Sequence, residues 1–231
     1  MPDKKFTIVE HLEELRSRII KSVIFIIASS ILIYNFTDKI LLNLVKPVGR
    51  LVFIAPIEAF TTNIKIAFFG GLFLSSPFIL YQIWQFVSVG LKESERRYIL
   101  IFGPLSFIFF ILGAGFGYFI IVPIGIKFLL GFGTDFITPM ISVGRYVSFV
   151  GILTFTFGAV FQIPLILLFL TKIGIVTPLF LSKKRRHAVV IIFILAATLT
   201  PPDVITQCLM AGPLILLYEL GLLFSKFAYN K

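Results

Sequence analysis

At 231 residues with 58% hydrophobic side chains, 14% charged and a mean hydropathy of +1.03, the chain carries more apolar side-chain surface than a water-soluble fold of this size can hide. A soluble globular protein is excluded, and an all-α polytopic membrane protein forming a single integral membrane domain over 1–231 is expected. The net charge of +10 does not point to nucleic acid, because the cations fall in short clusters between apolar runs, and the lone Cys208 excludes an intrachain disulfide.

The first predicted element is a helix over Thr7–Lys21. Thr7 with Glu10 three residues later forms a capping box, and Val9, Leu12, Leu15 and Ile19 recur at helical spacing with Glu10, Glu13, Glu14 and Arg18 on other faces. Residues 1–18 therefore read as an amphipathic segment at the membrane surface, with three carboxylates facing water. The apolar run over about 19–36 fits a retained first span of the ~20 residues that a ~30 Å hydrocarbon core demands; it has no clear small-residue cleavage site, and neither end carries a lipidation motif. Residues 38–55, broken by Pro47 and Gly49, form a far-side loop. Pro56-Ile57-Glu58 then reads as a helix entry, with proline at the first helical position and an acid in the first turn. The second span, about 60–86, belongs to a helix of ~46 Å that must tilt, bend or protrude, with Pro77 as the expected bend.

A short charged connection, 88–97, follows. Ser94 is expected to cap the third helix, placing Glu95 at its first position, where the helix dipole favours an ionised carboxylate. Span three, about 98–126, passes Pro104 and Pro123, and its Gly113-x-x-x-Gly117 spacing permits close approach of a neighbouring helix, read as packing. A second far-side loop over 131–145 leads to span four, about 146–170, with Gln162 beside Pro164 near its centre. After the cluster Lys183-Lys184-Arg185-Arg186, only a short apolar run over 188–200 precedes Pro201-Pro202-Asp203, and the last run, 205–224, is interrupted by Pro213. A pair of short spans five and six is expected, with a re-entrant hairpin as the alternative.

Charge sets the expected orientation. The side holding the N-terminus carries Arg16, Arg18, Lys21, Lys92, Arg96, Arg97, Lys172, the Lys183–Arg186 cluster and Lys226, whereas the other keeps Lys39, Lys46, Arg50, Lys65, Lys127 and Arg145. The positive-inside rule then places both termini, Glu14 and Glu95 on the cytoplasmic side of the membrane.

Reaction chemistry finds little support. His11 and His187 are the only histidines and lie in different segments, no cysteine, histidine or acid cluster has metal-ligand spacing, and no phosphate loop is present, so neither an enzyme nor a cofactor is expected. An ion-coupled small-solute transporter would place ionisable groups at the midplane and often show repeats. Here the spans offer Gln162 and Glu219, the latter about one turn from the cytoplasmic end of span six, and no repeat is visible; transport remains the alternative function. The other reading is a receptor whose carboxylates select guanidinium groups by bidentate pairing. Each acid also has a plainer role, since Glu14 precedes Arg18 by four residues and Glu95 precedes Arg96 and Arg97, arrangements that give local ion pairs worth ~0.3–0.5 kcal/mol.

Four motifs bear on this choice: His11-Leu12-x-Glu14-Leu15-Arg16-x-Arg18, Ser76-Pro77-x-x-Leu80-Tyr81-Gln82-x-Trp84-x-Phe86, Glu95-Arg96-Arg97, and Thr200-Pro201-Pro202-Asp203 with Gln207. In this order along the chain they resemble the TatC family, the multispanning receptors of the twin-arginine protein translocase. The resemblance implies a concave bundle of six helices that binds twin-arginine signal peptides of folded precursors, nucleates a translocation complex with single-span TatA and TatB subunits, and self-associates there. By the same resemblance Glu14 and Glu95 are the signal-recognising acids, Leu15, Arg16, Arg18 and Phe86 shape their site, Pro47 belongs to the first far-side loop, and Asp203 and Gln207 contact partners or support the short hairpin. Two departures are Gln162, where many members carry glutamate, and Val89, where many carry proline.

Overall fold

In hydrocarbon every backbone N–H and C=O must find its partner within the protein, so long apolar runs close into helices. The structure, a computed structural model that describes residues 8–49, 51–131, 140–199 and 204–229, is all-α. It comprises α1 (Ile8–Tyr34), α2 (Thr37–Val45), α3 (Glu58–Val89), α4 (Glu93–Phe116), α5 (Val122–Leu130), α6 (Val143–Val160), α7 (Gln162–Lys172), α8 (Pro178–Lys183), α9 (Arg185–Leu199) and α10 (Val204–Tyr229). Among the described residues five helical runs, Val9–Tyr34, Glu58–Val89, Glu93–Leu130, Val143–Lys172 and Met210–Tyr229, are long and apolar enough to cross a membrane. α9, with 15 residues or ~22 Å, is shorter than the hydrocarbon core. Large apolar side chains such as Ile31, Leu100 and Phe119 stand exposed along these helices, where lipid is the solvent. The chain is a multi-pass membrane protein.

Contacts divide the chain into two units, the first over 1–107 and 140–151. Here α1 packs on α3 at close range. A Cβ on Gly71 would lie 2.6 Å from the Ser30 backbone and one on Gly70 2.7 Å from Ile33 Cγ2, and the rings of Phe25 and Phe78 stack at 4.5 Å. The charged segment runs directly into the first apolar run, and the two form one unbroken helix of 27 residues, because nothing between Glu10 and Tyr34 breaks it. The first loop contains the short α2, and α3 begins at Glu58, two residues later than the expected entry at Pro56. The Glu58 carboxylate takes up four donors: Oε2 accepts the N–H groups of Ile54 at 2.7 Å and Ala55 at 3.4 Å, while Oε1 accepts the Gly144 N–H at 2.9 Å and the Ser142 hydroxyl. Val52 bridges Ser142, and the Tyr146 hydroxyl donates to the Leu44 carbonyl at 2.7 Å. The segments preceding α3 and α6 are thereby fastened together.

The second unit covers 108–139 and 152–231. Gly113 and Gly117 let the end of α4 and the following turn meet α6: a Cβ on Gly113 would lie 2.5 Å from the Phe157 carbonyl oxygen. The spacing packs helices, as expected. At Gly117–Ile121 the backbone widens into a π-helical turn, with the Val122 N–H reaching back to Gly117 O; the adjacent Pro123 has no N–H to continue the ordinary ladder. Span four is likewise two helices, α6 and α7, interrupted at Phe161 just before Pro164. Gly221 of α10 sits against Pro164 of α7, where a Cβ would approach its Cα to 2.9 Å.

Candidate functional site

His11, Glu14 and Arg18 lie at i, i+3 and i+7 on α1, hence on one face, and Gln82 and Phe86 lie at i and i+4 on α3. Antiparallel packing of the two helices brings those faces together. Arg18 Nη2 donates to Glu14 Oε1 at 2.9 Å, and Arg18 Nη1 donates to Gln82 Oε1, also at 2.9 Å. The His11 ring stacks on Phe86 with centroids 4.5 Å apart. The Glu14–Arg18 pair has the acid on the N-terminal side, the better order on a helix, and both side chains are sheltered, at 20% and 23% exposure. One carboxylate oxygen of Glu14 is thus held, and among the described residues Oε2 accepts no hydrogen bond.

Glu95 is held in a similar way from a second segment. α4 starts at Glu93 and not after Ser94, so Ser94 is not the cap that the sequence suggested. Glu95 is the third helical residue, and its Oε2 accepts the Lys92 N–H at 3.2 Å while its own N–H donates to Lys92 O at 2.9 Å. This is the carboxylate half of a capping box, in which an acid three residues into the helix satisfies the donor at its start. It displaces the start toward Lys92. Oε1 of Glu95 accepts no hydrogen bond among the described residues. α4 is tied to the end of α3 by the Trp84 indole N–H, which donates to Ser106 Oγ at 2.7 Å, and by the Trp84–Phe102 ring contact at 5.8 Å.

The structure joins Glu14, Arg18 and Phe86 with His11 and Gln82, but no hydrogen bond joins Glu95 to Glu14. Leu15 is half-buried beside them; Arg16 is exposed and lines a shallow groove with Glu13, Ser17 and Lys21. Pro47 is exposed in the first loop and Pro77 lies inside α3. Gln162 is buried as the first residue of α7, and Gln207 Nε2 donates to Phe193 O at 3.0 Å, bracing α10 against α9. Asp203 and the Thr7 cap lie outside the described residues. Glu219 pairs with Arg185 at 2.8 Å, with side chains 40% and 47% exposed, the geometry of a surface ion pair. An unpaired carboxylate for ion coupling is not what α10 offers there.

The sequence gives His11 and Gln82 no role beyond their places in the motifs, and Glu58 none beyond the helix entry. Gln82 carried a usable signal, an amide within an apolar run, since such a group in a membrane helix seeks a polar partner.

Comparison with known proteins extends this. The family described as "Sec-independent protein translocase protein (TatC)" matches residues 10–213. The chain is 47% identical to the Sec-independent protein translocase protein TatC of Carboxydothermus hydrogenoformans, covering 100% of this chain and 97% of the relative. It is 41% identical to that of Aquifex aeolicus, with 97% and 96% covered, and 36% identical to TatCy of Bacillus subtilis, with 100% and 93% covered. It is also similar to a crystal structure of the twin-arginine translocase receptor TatC, with a TM-score of 0.87 and 39% identity over 95% of this chain and 99% of the other.

Proposed function

Because this chain belongs to the TatC family of Sec-independent protein translocases, a family of transport receptors and not of enzymes, we propose that Glu14 and Glu95 receive the arginine pair of a twin-arginine signal peptide at the cytoplasmic face of the inner membrane. The observation that carries the reading is the matched state of the two acids. Each is fixed through one oxygen, Glu14 by Arg18 and Glu95 by the Lys92 N–H, and each keeps the other oxygen for a guest. Because each held oxygen can still accept a second donor, a guanidinium fork can engage both oxygens of the fixed carboxylate, whereas the ammonium of lysine acts as a point charge. Gln82 holds Arg18 from α3, while His11 and Phe86 offer an aromatic wall beside the acid. Leu15 and Arg16 complete the approach from α1, and the apolar part of the signal peptide then lies among the membrane helices. TatA and TatB subunits and further copies of the chain assemble beside it, using Gln162, Gln207 and Asp203.

The test is the affinity of the detergent-purified protein for a signal peptide with an arginine pair and for its lysine-pair counterpart. Glu95→Gln is expected to lower the arginine-peptide affinity about tenfold or more, as loss of a charge-assisted contact does, and to erase the preference over lysine. Glu93→Gln, two residues away, is expected to change little. Equal losses at 93 and 95 would reduce the site to a diffuse acidic surface and overturn the assignment.

A further inference from the structure

The second unit carries a surface that signal recognition does not use. α8 is docked by its inner side: Pro178 and Leu181 are buried, the Tyr218 hydroxyl donates to Leu181 O at 2.9 Å, and Thr177 Oγ1 accepts the Phe180 N–H at 3.3 Å as a cap. Docking in this way leaves Leu179 75% and Phe180 53% exposed. Directly after them Lys183, Lys184, Arg185 and Arg186 are all exposed. Arg185 is neutralised by Glu219. Among the described residues Lys183, Lys184 and Arg186 form no ion pair, so three cations stand together uncompensated. The chain then enters α9, where Val190, Ile191, Ile194 and Leu195 are exposed at the i, i+1, i+4, i+5 positions of a single helix face.

We propose that this surface is a binding site for an anionic phospholipid, with the headgroup phosphate on Lys183, Lys184 and Arg186 and the acyl chains against Leu179, Phe180 and the exposed face of α9. The order of chemistry along the chain is that of a lipid molecule: apolar side chains able to sink into the acyl boundary, cations at headgroup level, then an apolar helical face running into hydrocarbon. A free phosphate would make no use of the two apolar faces, and a zwitterionic lipid would leave the three positive charges uncompensated. Cations that served only to orient the nascent chain would need no bound lipid in the folded protein.

The experiment measures binding of fluorescent phosphatidylglycerol to the detergent-purified full-length protein, with phosphatidylcholine and glycerol phosphate as competitors. Phosphatidylglycerol is expected to bind in clear preference to phosphatidylcholine, and millimolar glycerol phosphate is expected not to displace it. The triple variant Lys183→Gln, Lys184→Gln, Arg186→Gln is expected to bind on the order of 100-fold more weakly, at roughly fivefold per cation. The charge-conserving variant Lys183→Arg, Lys184→Arg, Arg186→Lys is expected to retain binding, as is the pair Lys39→Gln, Lys46→Gln in the first unit. Leu179→Ser with Phe180→Ser is expected to weaken binding several-fold. Equal affinity for the two lipids, or an unaltered affinity in the triple variant, would overturn the proposal, and so would displacement by glycerol phosphate, which would mark a small-anion site. Should the triple variant not fold, the preference of the wild-type protein decides by itself.

Discussion

Glu58 concentrates more of the tertiary structure than any acid that the motifs singled out. Its two oxygens accept three backbone N–H groups and one hydroxyl, from the segment just before α3 and from the start of α6. A carboxylate can accept all four, since it is acceptor-only when ionised. An amide cannot, because whichever oxygen its NH2 replaces, a donor then faces two donors. Glu58→Gln is therefore expected to lower the thermal midpoint of the purified protein nearly as much as Glu58→Ala, and Ser142→Ala, which removes one donor and leaves the others, is expected to lower it less. A wild-type midpoint for Glu58→Gln would show that the four contacts do not act together. None of this partnership is legible in a single sequence. The acid in the first turn of α3 is visible at Glu58, but Ser142 lies 84 residues away and only the fold brings it near. The same limit explains the misplaced cap at Ser94: a serine near a helix start is a strong local signal, yet the carboxylate of Glu95 reaches the Lys92 N–H and starts the helix earlier.

Elements were legible where length and hydropathy decide, and less so where they break. The long apolar runs became α1, α3, α4, α6 and α10, whereas the prolines inside them behaved unequally. Pro77, Pro104 and Pro213 sit within continuous helices, while Pro123 follows a π-helical turn and Pro164 follows the interruption at Phe161. Each proline removes the same donor, so what differs is the neighbouring packing, which sequence alone does not display. The glycines of α4 make this testable. A Cβ on Gly113 would lie 2.5 Å from Phe157 O and 2.6 Å from the Phe161 ring, whereas one on Gly115 meets nothing within 4 Å. Gly113→Ala is expected to destabilise by about 1–3 kcal/mol, since it drives α4 away from α6. Gly115→Ala is expected to be neutral or to stabilise by up to about 1 kcal/mol, because alanine is the better helix former and finds open space. Thermal unfolding in detergent separates the two, and equal destabilisation would mean that the penalty comes from helix backbone change and not from contact with α6.

The number of crossings is where residue charge and element length meet in the whole molecule. Among the described residues five helical runs reach spanning length and α9, with 15 residues, does not. If α9 and α10 both traverse, the bilayer must thin locally around the short helix, and the two ends of the chain lie on one side. If α9 only dips into the membrane and returns, they lie on opposite sides. The charge distribution favours the first arrangement, since Arg96, Arg97 and the Lys183–Arg186 cluster share a side with Arg16, Arg18 and Lys21 in either case and Lys226 joins them only if α9 crosses. With Cys208→Ser removing the single native thiol, three exposed positions report the outcome: Lys39→Cys in α2, Lys92→Cys beside Glu95 and Tyr229→Cys at the end of α10. A membrane-impermeant maleimide applied to intact cells is expected to label the cysteine at 39 and to spare those at 92 and 229 until the membrane is opened. Labelling at 229 together with 39 would assign an odd number of crossings and make α9 re-entrant. Labelling at 92 from outside would place Glu95 on the wrong side to meet a signal peptide before export, and the proposed recognition site would fall with it.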